Sequence, residues 1–442
     1  MNIKINKIKN WFFNNVLFKE DNFIMRLMDS VFIFYINISA KKISRTRNKN
    51  LKPRLLWGSS PLINNKYWSK AMEEGGYSST TYMYDFYSVI NNKSDFDKYF
   101  SPYFKGIKYY KFIFNIINEY DIIHTSFDGF LKGKSKLIKN KEYEIFKKCG
   151  IKLIFLSYGK DVYRYSTIMN YSRRHALIAH YGEAGKNENL IKKKVDKGIK
   201  FGDCIVSMHM IEGLSFWDLF TFSPFCIDEK YWNSKKEKHK FNGKDGEVRI
   251  IHSPNHRLIK GTEFIIKAIN ELKNEGYKIN FTLIERKQNN EVLEALSKSD
   301  ILIEQLLRGY GFNAIEGMAM KCAVISNLEG DEIPIKVFRR YSFLDECPIV
   351  SATPEDIKEV IRDLLDNPKI REKIGFSGRS YVEKYHSYKA SQYMFNKIYD
   401  KVWKGEDVDL INMYHPLNKE SYNNLSPKIK HPLNKNKLKL HK

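Results

Sequence analysis

The sequence predicts an α/β protein with two domains, each built on a parallel sheet with helices on both faces. Three observations lead to this prediction. Short apolar segments alternate with amphipathic ones along most of the chain, which is typical of parallel strands joined by helices. A polar, Lys-rich stretch at 229–247 interrupts the alternation and is predicted to be a linker. The length of 442 residues exceeds what one hydrophobic core normally organises.

The first predicted domain spans 51–228 and begins with a strand, a loop and a helix. An apolar run ends at Gly58 and Ser59, and the helix after it is stopped by Gly75 and Gly76. The same alternation then repeats. Strands are expected at Arg54–Ser59, Ser79–Tyr84, Ile122–Thr125, Ile151–Ser157 and Cys204–Ser207, and helices at Lys66–Glu74, Lys108–Glu119 and Lys141–Cys149.

The second predicted domain spans 248–385 and repeats the pattern more cleanly. An aromatic helix, Tyr388–Trp403, is left over at 386–405. The tail at 406–442 has few large apolar residues and many Lys and Asn, so it is predicted to be disordered. Two such domains in tandem place a ligand cleft between the carboxyl ends of their sheets. Expected strands are Val248–His252, Ile279–Ile284, Ile301–Glu304 and Ala323–Ser326, and expected helices are Lys260–Asn274, Asn290–Lys298, Asn313–Lys321, Pro354–Asp366 and Ile370–Tyr385.

Positive charge is concentrated in the first part of the chain. Residues 1–200 contain 37 Lys and Arg against 17 Asp and Glu, whereas the remainder contains 38 against 34. This asymmetry favours an anionic partner for the N-terminal half: a phospholipid surface, a phosphorylated substrate or a nucleic acid. A Lys-rich composition of the whole chain is the alternative explanation. Nucleic acid is not predicted as a partner, because no recognition motif accompanies the charge.

Residues 1–50 form a basic, aromatic extension. Aromatic and aliphatic residues at 11–18 lie among lysines, and the apolar stretch Phe23–Ala40 is followed by five more bases. Arg26 and Asp29 interrupt that stretch, so no membrane-spanning helix is predicted. Glu20 and Asp21 break the apolar region and no small-residue cleavage site follows, so no signal peptide is predicted either. The pattern suits a helix lying on an anionic membrane surface, and equally a helix packed on the protein itself.

Cysteine usage indicates a reducing compartment. The chain has five cysteines, an odd number, with no Cys-x-x-Cys pair and no matching histidine cluster. Neither a disulfide framework nor a zinc site is predicted, and a cytoplasmic location is expected.

A candidate diphosphate site follows the first strand of the second domain. The segment 252–262 lies between a predicted strand and a predicted helix, so Arg257 and Lys260 would project into the cleft beside backbone N–H groups. Taken alone, this segment fits a solvated loop better than a ligand site.

A second turn, from Gly309 to Gly311, leads into a predicted helix that carries Glu316. The glycines allow a ligand to approach the backbone, and a carboxylate accepts hydrogen bonds from vicinal hydroxyls such as those of a ribose. A glutamate early in a helix also interacts favourably with the helix dipole, so this pattern is weak by itself.

Together these segments resemble the donor-binding domain of GT-B glycosyltransferases of the family 4 type. The resemblance covers about Val248–Tyr399 and rests on the order and spacing of three segments. The first domain is similar only in outline, at Trp57–Ser59, Asp121–Asp128 and Tyr158–Asp161. The three segments are Arg257–Thr262, Tyr310–Ala319 and Pro368–Tyr385.

The resemblance implies the GT-B fold, in which two Rossmann-like domains face a central cleft and the helix at 386–405 crosses back to the first domain. It implies a nucleotide-diphosphate-sugar donor on the second domain and the acceptor on the first. Arg257 and Lys260 would neutralise the diphosphate and Glu316 would hold the ribose, which makes these three the predicted catalytic residues. Transfer would retain the anomeric configuration without metal, cofactor or protein nucleophile. The other donor-side residues are Gly261, Glu285, Arg308, Gly309, Tyr310 and Gly311, and the acceptor-side candidates are Gly58, Ser59, His124, Tyr158, Gly159 and Asp161.

Two positions depart from the family pattern. Arg308 stands where the family has its first glutamate, which reverses the local charge. Either an anionic sugar or phosphate is contacted, or Glu304 takes over, or donor chemistry is impaired. The segment Ser157–Gly159 replaces the family's His-Gly turn, and nearby Asp161 is either a sugar contact or the ion-pair partner of Arg164.

The sequence therefore predicts a cytoplasmic glycosyltransferase that adds a sugar to a glycan or lipid-linked acceptor in surface polysaccharide biosynthesis. Its basic half would hold it as a peripheral protein on the inner face of the membrane. The alternative is a catalytically degenerate nucleotide-sugar-binding protein acting as a partner or scaffold, which Arg308 and the missing histidine favour.

Overall fold

The computed structural model describes residues 23–85, 91–100, 107–133, 135–209, 211–228, 230, 232, 238–307, 309–329, 333–418 and 427–438. Arg308 and residues 1–22 of the N-terminal extension therefore lie outside the described residues.

The N-terminal domain is built on a parallel sheet of six strands. They are β1 (Leu55–Ser59), β2 (Ser79–Met83), β3 (Lys98–Tyr99), β4 (Ile122–Thr125), β5 (Lys152–Leu156) and β6 (Cys204–Val206). Their order is β3-β2-β1-β4-β5-β6. Every residue of β1 and β4 is buried, as expected for central strands covered by helices on both faces.

Helices cover both faces of this sheet. Ser135 begins one of them, because its hydroxyl accepts a hydrogen bond from the Ile138 N–H at 3.0 Å. The helices are α1 (Phe23–Arg45), α2 (Ile63–Glu74), α3 (Ile107–Glu119), α4 (Lys136–Lys148), α5 (Tyr171–Lys186) and α6 (Glu188–Phe201), with 3₁₀ turns at Lys93–Asp95, Tyr165–Thr167 and Ile211–Gly213.

Helix α1 packs against the outside of the N-terminal domain. Its Asp29 is buried and accepts hydrogen bonds from the Tyr110 hydroxyl at 2.7 Å and the Ser135 hydroxyl at 2.6 Å. By length and composition alone α1 is apolar enough to cross a membrane, although a core helix or a signal sequence passes the same test. The sequence did not predict a helix of this hydropathy, because the charged residues Arg26 and Asp29 interrupt its apolar stretch.

The C-terminal domain contains a second parallel sheet. Its strands are β7 (Val248–His252), β8 (Ile279–Leu283), β9 (Ile301–Gln305), β10 (Ala323–Ser326) and β11 (Val350–Ser351). They lie in the order β11-β10-β9-β7-β8. The helices are α7 (Arg257–Lys260), α8 (Thr262–Asn274), α9 (Asn289–Lys298), α10 (Phe312–Ala319), α11 (Ile333–Tyr341), α12 (Ile357–Asp366), α13 (Pro368–Tyr385) and α14 (Tyr388–Tyr399), with a 3₁₀ turn at Leu344–Glu346 and a π-helical turn at Asp400–Lys404.

Helix α14 lies against the N-terminal domain and helps to join the two halves. The Tyr77 hydroxyl donates to Asn396 at 2.7 Å, and the Gln392 amide donates to the Ala71 carbonyl at 2.8 Å. Just before α14, the buried His386 contacts the Phe225 carbonyl at 2.7 Å. One continuous apolar core therefore runs from the N-terminal sheet into the C-terminal domain.

The prediction that the tail at 406–442 is disordered is wrong for its described parts. Leu410 and Met413 are buried, and a hairpin of β12 (Leu433–Asn434) and β13 (Lys437–Leu438) packs on the C-terminal domain. Composition misled because a few apolar residues of the tail, Leu410, Met413 and Leu433, are enough to pack its described parts on the domain. Asn436 adds a polar anchor, since its amide donates to the Cys347 and Ile349 carbonyls at 2.8 Å each.

Candidate functional site

The candidate donor side is made by loops that follow the strands of the C-terminal sheet. Parallel strands end at one edge, so the loops after β7, β8, β9 and β10 come together there. A pocket of about 450 Å³ opens between this edge and the N-terminal domain. Its lining includes Asn170 and Ser172 from the N-terminal domain and Leu306, Leu307, Asn327 and Thr353 from the C-terminal domain.

Both predicted phosphate-binding cations are paired with carboxylates. Lys260 makes an ion pair with Glu304, in which the two side chains are 15% and 1% exposed. Arg257 is bound by Glu263 at 2.7 Å and by Glu285 at 2.8 Å. These hydrogen bonds, chiefly the one to Glu263, raise the pKa of Arg257 above its usual value. The predicted donor residue Glu285 is thus a partner of Arg257 in this structure.

Two of the predicted glycines have left-handed backbone conformations that favour glycine. Gly261 has φ 74°, and a Cβ there would meet the Leu306 side chain at 3.1 Å. Gly309 has φ 69°, and its N–H donates to the Asn327 carbonyl at 2.7 Å. Gly311 precedes α10 with an ordinary φ of −116°, so it is not required there for backbone reasons. The turn before α10 is therefore held against the loops that follow β9 and β10.

The prediction of Tyr310 as a donor-binding side chain is contradicted by its position. Its ring is fully buried and its hydroxyl contacts the Tyr381 hydroxyl at 3.0 Å and His386 at 3.1 Å. Burial raises its pKa well above the usual value. Tyr310 was predicted as a donor-binding residue from the resemblance of its segment, but its ring belongs to the core that joins the domains.

Glu316 is buried in α10, with the Asn289 amide donating to its carboxylate at 2.9 Å. Burial raises its pKa to about 8, so the group is largely protonated at neutral pH. A neutral carboxyl both donates and accepts hydrogen bonds, as a pair of hydroxyls would require.

Two residues at this edge, Asn313 and Ser253, were not predicted as site residues from the sequence. The Asn313 amide nitrogen donates to the Ser253 hydroxyl at 2.9 Å, while its buried Oδ1 has no hydrogen-bond partner among the residues that the structure describes. Ser253 directly follows β7, so the pair joins the first donor loop to the start of α10. A free buried acceptor next to the donor loops fits a ligand contact. No signal in the sequence separated Asn313 from the chain's many other asparagines.

The candidate acceptor side has buried hydroxyls at the ends of β1, β4 and β5. The hydroxyls of Ser59, Thr125 and Ser157 are buried and have no hydrogen-bond partner among the described residues. Thr125 and Ser157 line a pocket together with Gly58 and Tyr158, and its volume of about 20 Å³ holds about one water. Ser59 lies next to this pocket in sequence but does not line it. A Cβ at Gly58 would lie 2.3 Å from the Tyr82 carbonyl oxygen, so only glycine fits there.

Asp161 stabilises the turn after β5 through hydrogen bonds from backbone N–H groups, and is not the ion-pair partner of Arg164. Its carboxylate accepts hydrogen bonds from the N–H groups of Tyr158, Gly159 and Phe127 at 2.9, 3.0 and 3.1 Å. Burial raises its pKa to about 7 in spite of these bonds, with the nearby charge of Asp128 adding to the effect. Gly159 has φ 118°, and the Tyr158 hydroxyl donates to Asp128.

His124 was predicted to lie in the cleft, and the structure contradicts this. It stacks on Trp57 with ring centroids 3.6 Å apart, and its Nε2 contacts the Tyr399 hydroxyl at 2.9 Å. Burial lowers its pKa to about 3, so the ring is neutral. The position at a strand end was correct, but its side chain points under α14 instead of into the cleft.

A contact across the domains closes one side of the donor loops. The Tyr181 hydroxyl and His256 Nε2 are 2.7 Å apart, and the rings of His180 and His256 lie 4.5 Å apart. Tyr181 interrupts α5 with φ −133° and ψ 44°, which is outside helical geometry. Because His256 directly precedes Arg257, α5 positions the predicted diphosphate loop.

Comparisons with known proteins bear on the architecture. No protein-family model matches the chain. Over 154 residues, 33% of this chain, it is 28% identical to the uncharacterized glycosyltransferase MJ1178 of Methanocaldococcus jannaschii, and the match spans 42% of that relative's length. Anabaena Alr3699/HepE in complex with UDP-glucose gives a TM-score of 0.48 at 8% identity, covering 80% of this chain and 100% of that one. A glycosyltransferase from Rickettsia africae ESF-5 gives a TM-score of 0.51 at 15% identity, with the same coverage of both chains. The chain has the GT-B fold.

The Asp-x-Asp sequences of this chain make contacts with other residues of the protein. The chain has two of them, at 95–97 and 407–409. Asp95 pairs with Lys66 at 2.6 Å, and Asp97 accepts a hydrogen bond from the Thr81 hydroxyl at 2.7 Å. Within the described ranges, no three His, Cys, Asp or Glu side chains form a group suited to a metal ion. Metal independence stays a prediction.

Proposed function

We propose that the protein transfers a glycosyl group from a nucleotide-diphosphate-sugar to a hydroxyl of an acceptor. The observation that supports this most is the convergence of Arg257, Lys260 and the start of α10 at the carboxyl edge of the C-terminal sheet, beside His256, which contacts Tyr181 of the N-terminal domain. Such edges bind nucleotides in open α/β sheets. The architecture shared with a Rickettsia africae glycosyltransferase is consistent with the proposal.

The donor diphosphate would be received by the segment 257–261 and by the N-terminus of α10. The charge that develops on the departing diphosphate needs positive partners, and a helix N-terminus supplies backbone N–H groups for it. Arg257 and Lys260 would then exchange their carboxylate partners for phosphate oxygens. Glu316 would bind the ribose hydroxyls. In keeping with the resemblance, transfer would retain configuration and need no metal.

The acceptor would lie against the N-terminal domain, where buried hydroxyls end β1, β4 and β5. Hydroxyl groups suit a glycan or the sugar of a lipid-linked acceptor. A role in surface polysaccharide biosynthesis and a cytoplasmic location belong to the same proposal. The five cysteines, all free and buried, are compatible with a reducing compartment.

A catalytically degenerate nucleotide-sugar-binding protein is the second candidate. One observation favours it: three carboxylates, those of Glu263, Glu285 and Glu304, already neutralise the two cations. Replacing Arg308 by Glu separates the candidates. An active transferase is expected to lose or change activity in Arg308→Glu, whereas a degenerate protein would gain it.

The donor site is tested by a thermal-shift titration with UDP, GDP, CDP and their common sugars. A nucleotide that binds only the folded chain at a hundred times its dissociation constant stabilises it by about 2.7 kcal/mol. We expect one base to raise the midpoint in the wild type and in the exposed control Glu372→Ala, and to lose its effect in Glu316→Ala. No shift with any nucleotide would refute the donor site. Binding without release of nucleoside diphosphate in the presence of acceptor glycans would favour the second candidate.

A further inference from the structure

One face of α1 is apolar and uncovered in the described structure. Residues at spacings of three and four along the helix are large, apolar and between 51% and 80% exposed. The opposite face packs on the N-terminal domain through Met25, Ile33 and Ile36. An exposed apolar stripe of this length is rare on a protein surface and marks a contact site. The stripe consists of Phe23, Leu27, Val31, Phe34, Tyr35 and Ile38.

The same helical face continues into positive charge. Lys41, Lys42 and Arg45 extend the stripe at the same spacing, and all three are exposed. A shallow pocket of about 450 Å³ lies beside them, and its three cations are Lys41, Arg45 and Lys148. Its other lining residues are Asn37, Ala40 and Ser44, so no carboxylate lines it. Lys148 is held in place by Asn37, to whose side-chain oxygen its amine donates at 2.7 Å.

Neighbouring elements add charge of the same sign. Helix α4, which packs against α1, exposes Lys139 and Lys141 in addition to Lys148. Lys41 and Arg45 make no ion pair with the described residues, so their charge is available to an outside anion. An apolar stripe that ends in such a basic region is complementary to the acyl chains and phosphates of an anionic lipid surface.

We propose that the exposed face of α1 docks on an anionic membrane surface and that the pocket of Lys41, Arg45 and Lys148 receives a lipid phosphate. The helix lies along the membrane and does not cross it. Crossing would expose the buried face to lipid and would break the hydrogen bonds that Tyr110 and Ser135 donate to Asp29. The inference goes beyond the proposed transfer reaction and does not depend on it.

The test is co-sedimentation of the full chain with vesicles of phosphatidylcholine, with and without phosphatidylglycerol. We expect binding to the anionic vesicles, weakened by salt. The triple variant Lys41→Ala/Lys148→Ala/Arg45→Ala is expected to lose roughly 100-fold in affinity, at about a factor of five for each cation near the surface. The charge-matched control Lys273→Ala/Lys278→Ala/Lys369→Ala, on exposed positions of the C-terminal domain, should keep wild-type affinity.

A second variant tests the apolar stripe. Phe34→Ser/Ile38→Ser changes exposed side chains only, so the midpoint of thermal unfolding should stay the same while vesicle binding falls at every salt concentration. Equal losses in the pocket variant and its control would overturn the phosphate site. Equal affinity for soluble glycerol phosphate and for vesicles would instead overturn the membrane as the source of the phosphate.

Two further results would overturn the docking itself. The first is an absence of binding to anionic vesicles at low salt. The second is a dimer in solution that Phe34→Ser/Ile38→Ser dissociates, which would mean that a second copy covers the stripe. Nucleotide binding measured on the same preparation keeps these outcomes separate from a failure of the proposed donor site.

Discussion

At the scale of single residues, the ion pair of Lys260 and Glu304 bears on the proposed binding of a diphosphate. Glu304 was one of three explanations for the reversed charge at Arg308, and the structure shows it as the partner of Lys260. A buried carboxylate beside Lys260 neutralises its charge and so stabilises the fold. In the proposed function, a phosphate of the donor would take the place of this carboxylate.

Replacing Glu304 by Gln should therefore destabilise the free protein by about 3 kcal/mol, because Lys260 keeps its charge in a mostly buried position. A nucleoside diphosphate that takes over as its partner should raise the midpoint of thermal unfolding more in this variant than in the wild type. Glu263→Gln is the matched control, since Glu263 is 71% exposed and should change stability little. Equal nucleotide shifts in all three proteins would contradict the exchange of partners.

Glu316 makes stability depend on pH. Its pKa is about 8 in the fold and 4.5 in an unfolded chain, so its stabilising contribution is complete below pH 4.5 and is lost as the pH rises to about 8. Between pH 7.5 and 8.5 the buried histidines 124, 252 and 386 are neutral in the fold and almost fully neutral in the unfolded chain, where their ordinary pKa is 6.5, so they add little change. The free energy of unfolding in urea should fall across this window, and fall less in Glu316→Gln. An unchanged slope in the variant would assign the effect to Glu142 and Asp161, the other carboxyls of raised pKa.

At the scale of elements, α5 is the N-terminal helix that touches the donor loops. The sequence did not predict it, because few of its side chains are buried and no regular apolar face is formed. Its partner in sequence, α6, was missed in the same region of dense lysines. The bounds of the apolar strands were predicted to within a few residues, because burial on both faces leaves a continuous apolar run. The bounds of the helices stopped at Gly75 and ending at Lys298 were predicted equally closely.

Tyr181→Phe should remove one hydrogen bond between the domains, to His256, and cost about 1 kcal/mol. The measurement is urea unfolding of the variant against Tyr171→Phe, a change at a tyrosine that is 75% exposed on the same helix. If the bond also positions the diphosphate loop, Tyr181→Phe weakens nucleotide binding while Tyr171→Phe does not. Identical behaviour of the two variants would mean that the contact carries no energy.

At the scale of the whole molecule, the sequence predicted the α/β class and the GT-B architecture, and both are confirmed. The candidate donor segments could be picked out because glycines and charges at loop positions leave a recognisable pattern in the sequence. The direction in which side chains point could not be predicted: His124 lies near the end of β4 and Tyr310 in the turn before α10, yet both rings are buried in the core. The carboxylate partners of Arg257 and Lys260 come from three separate segments, which only the folded sheet brings together.

The C-terminal hairpin has a consequence for self-association. Strand β11 ends the sheet, and the hairpin covers it, with the Ser351 N–H donating to the Asn436 carbonyl at 2.8 Å. A chain truncated before residue 427 would leave this outermost strand with unsatisfied backbone groups, a template on which another copy can add. Such a truncated chain should scatter light on standing at concentrations where the full chain stays monodisperse. By covering this edge strand, the tail is expected to prevent polymerisation of the chain.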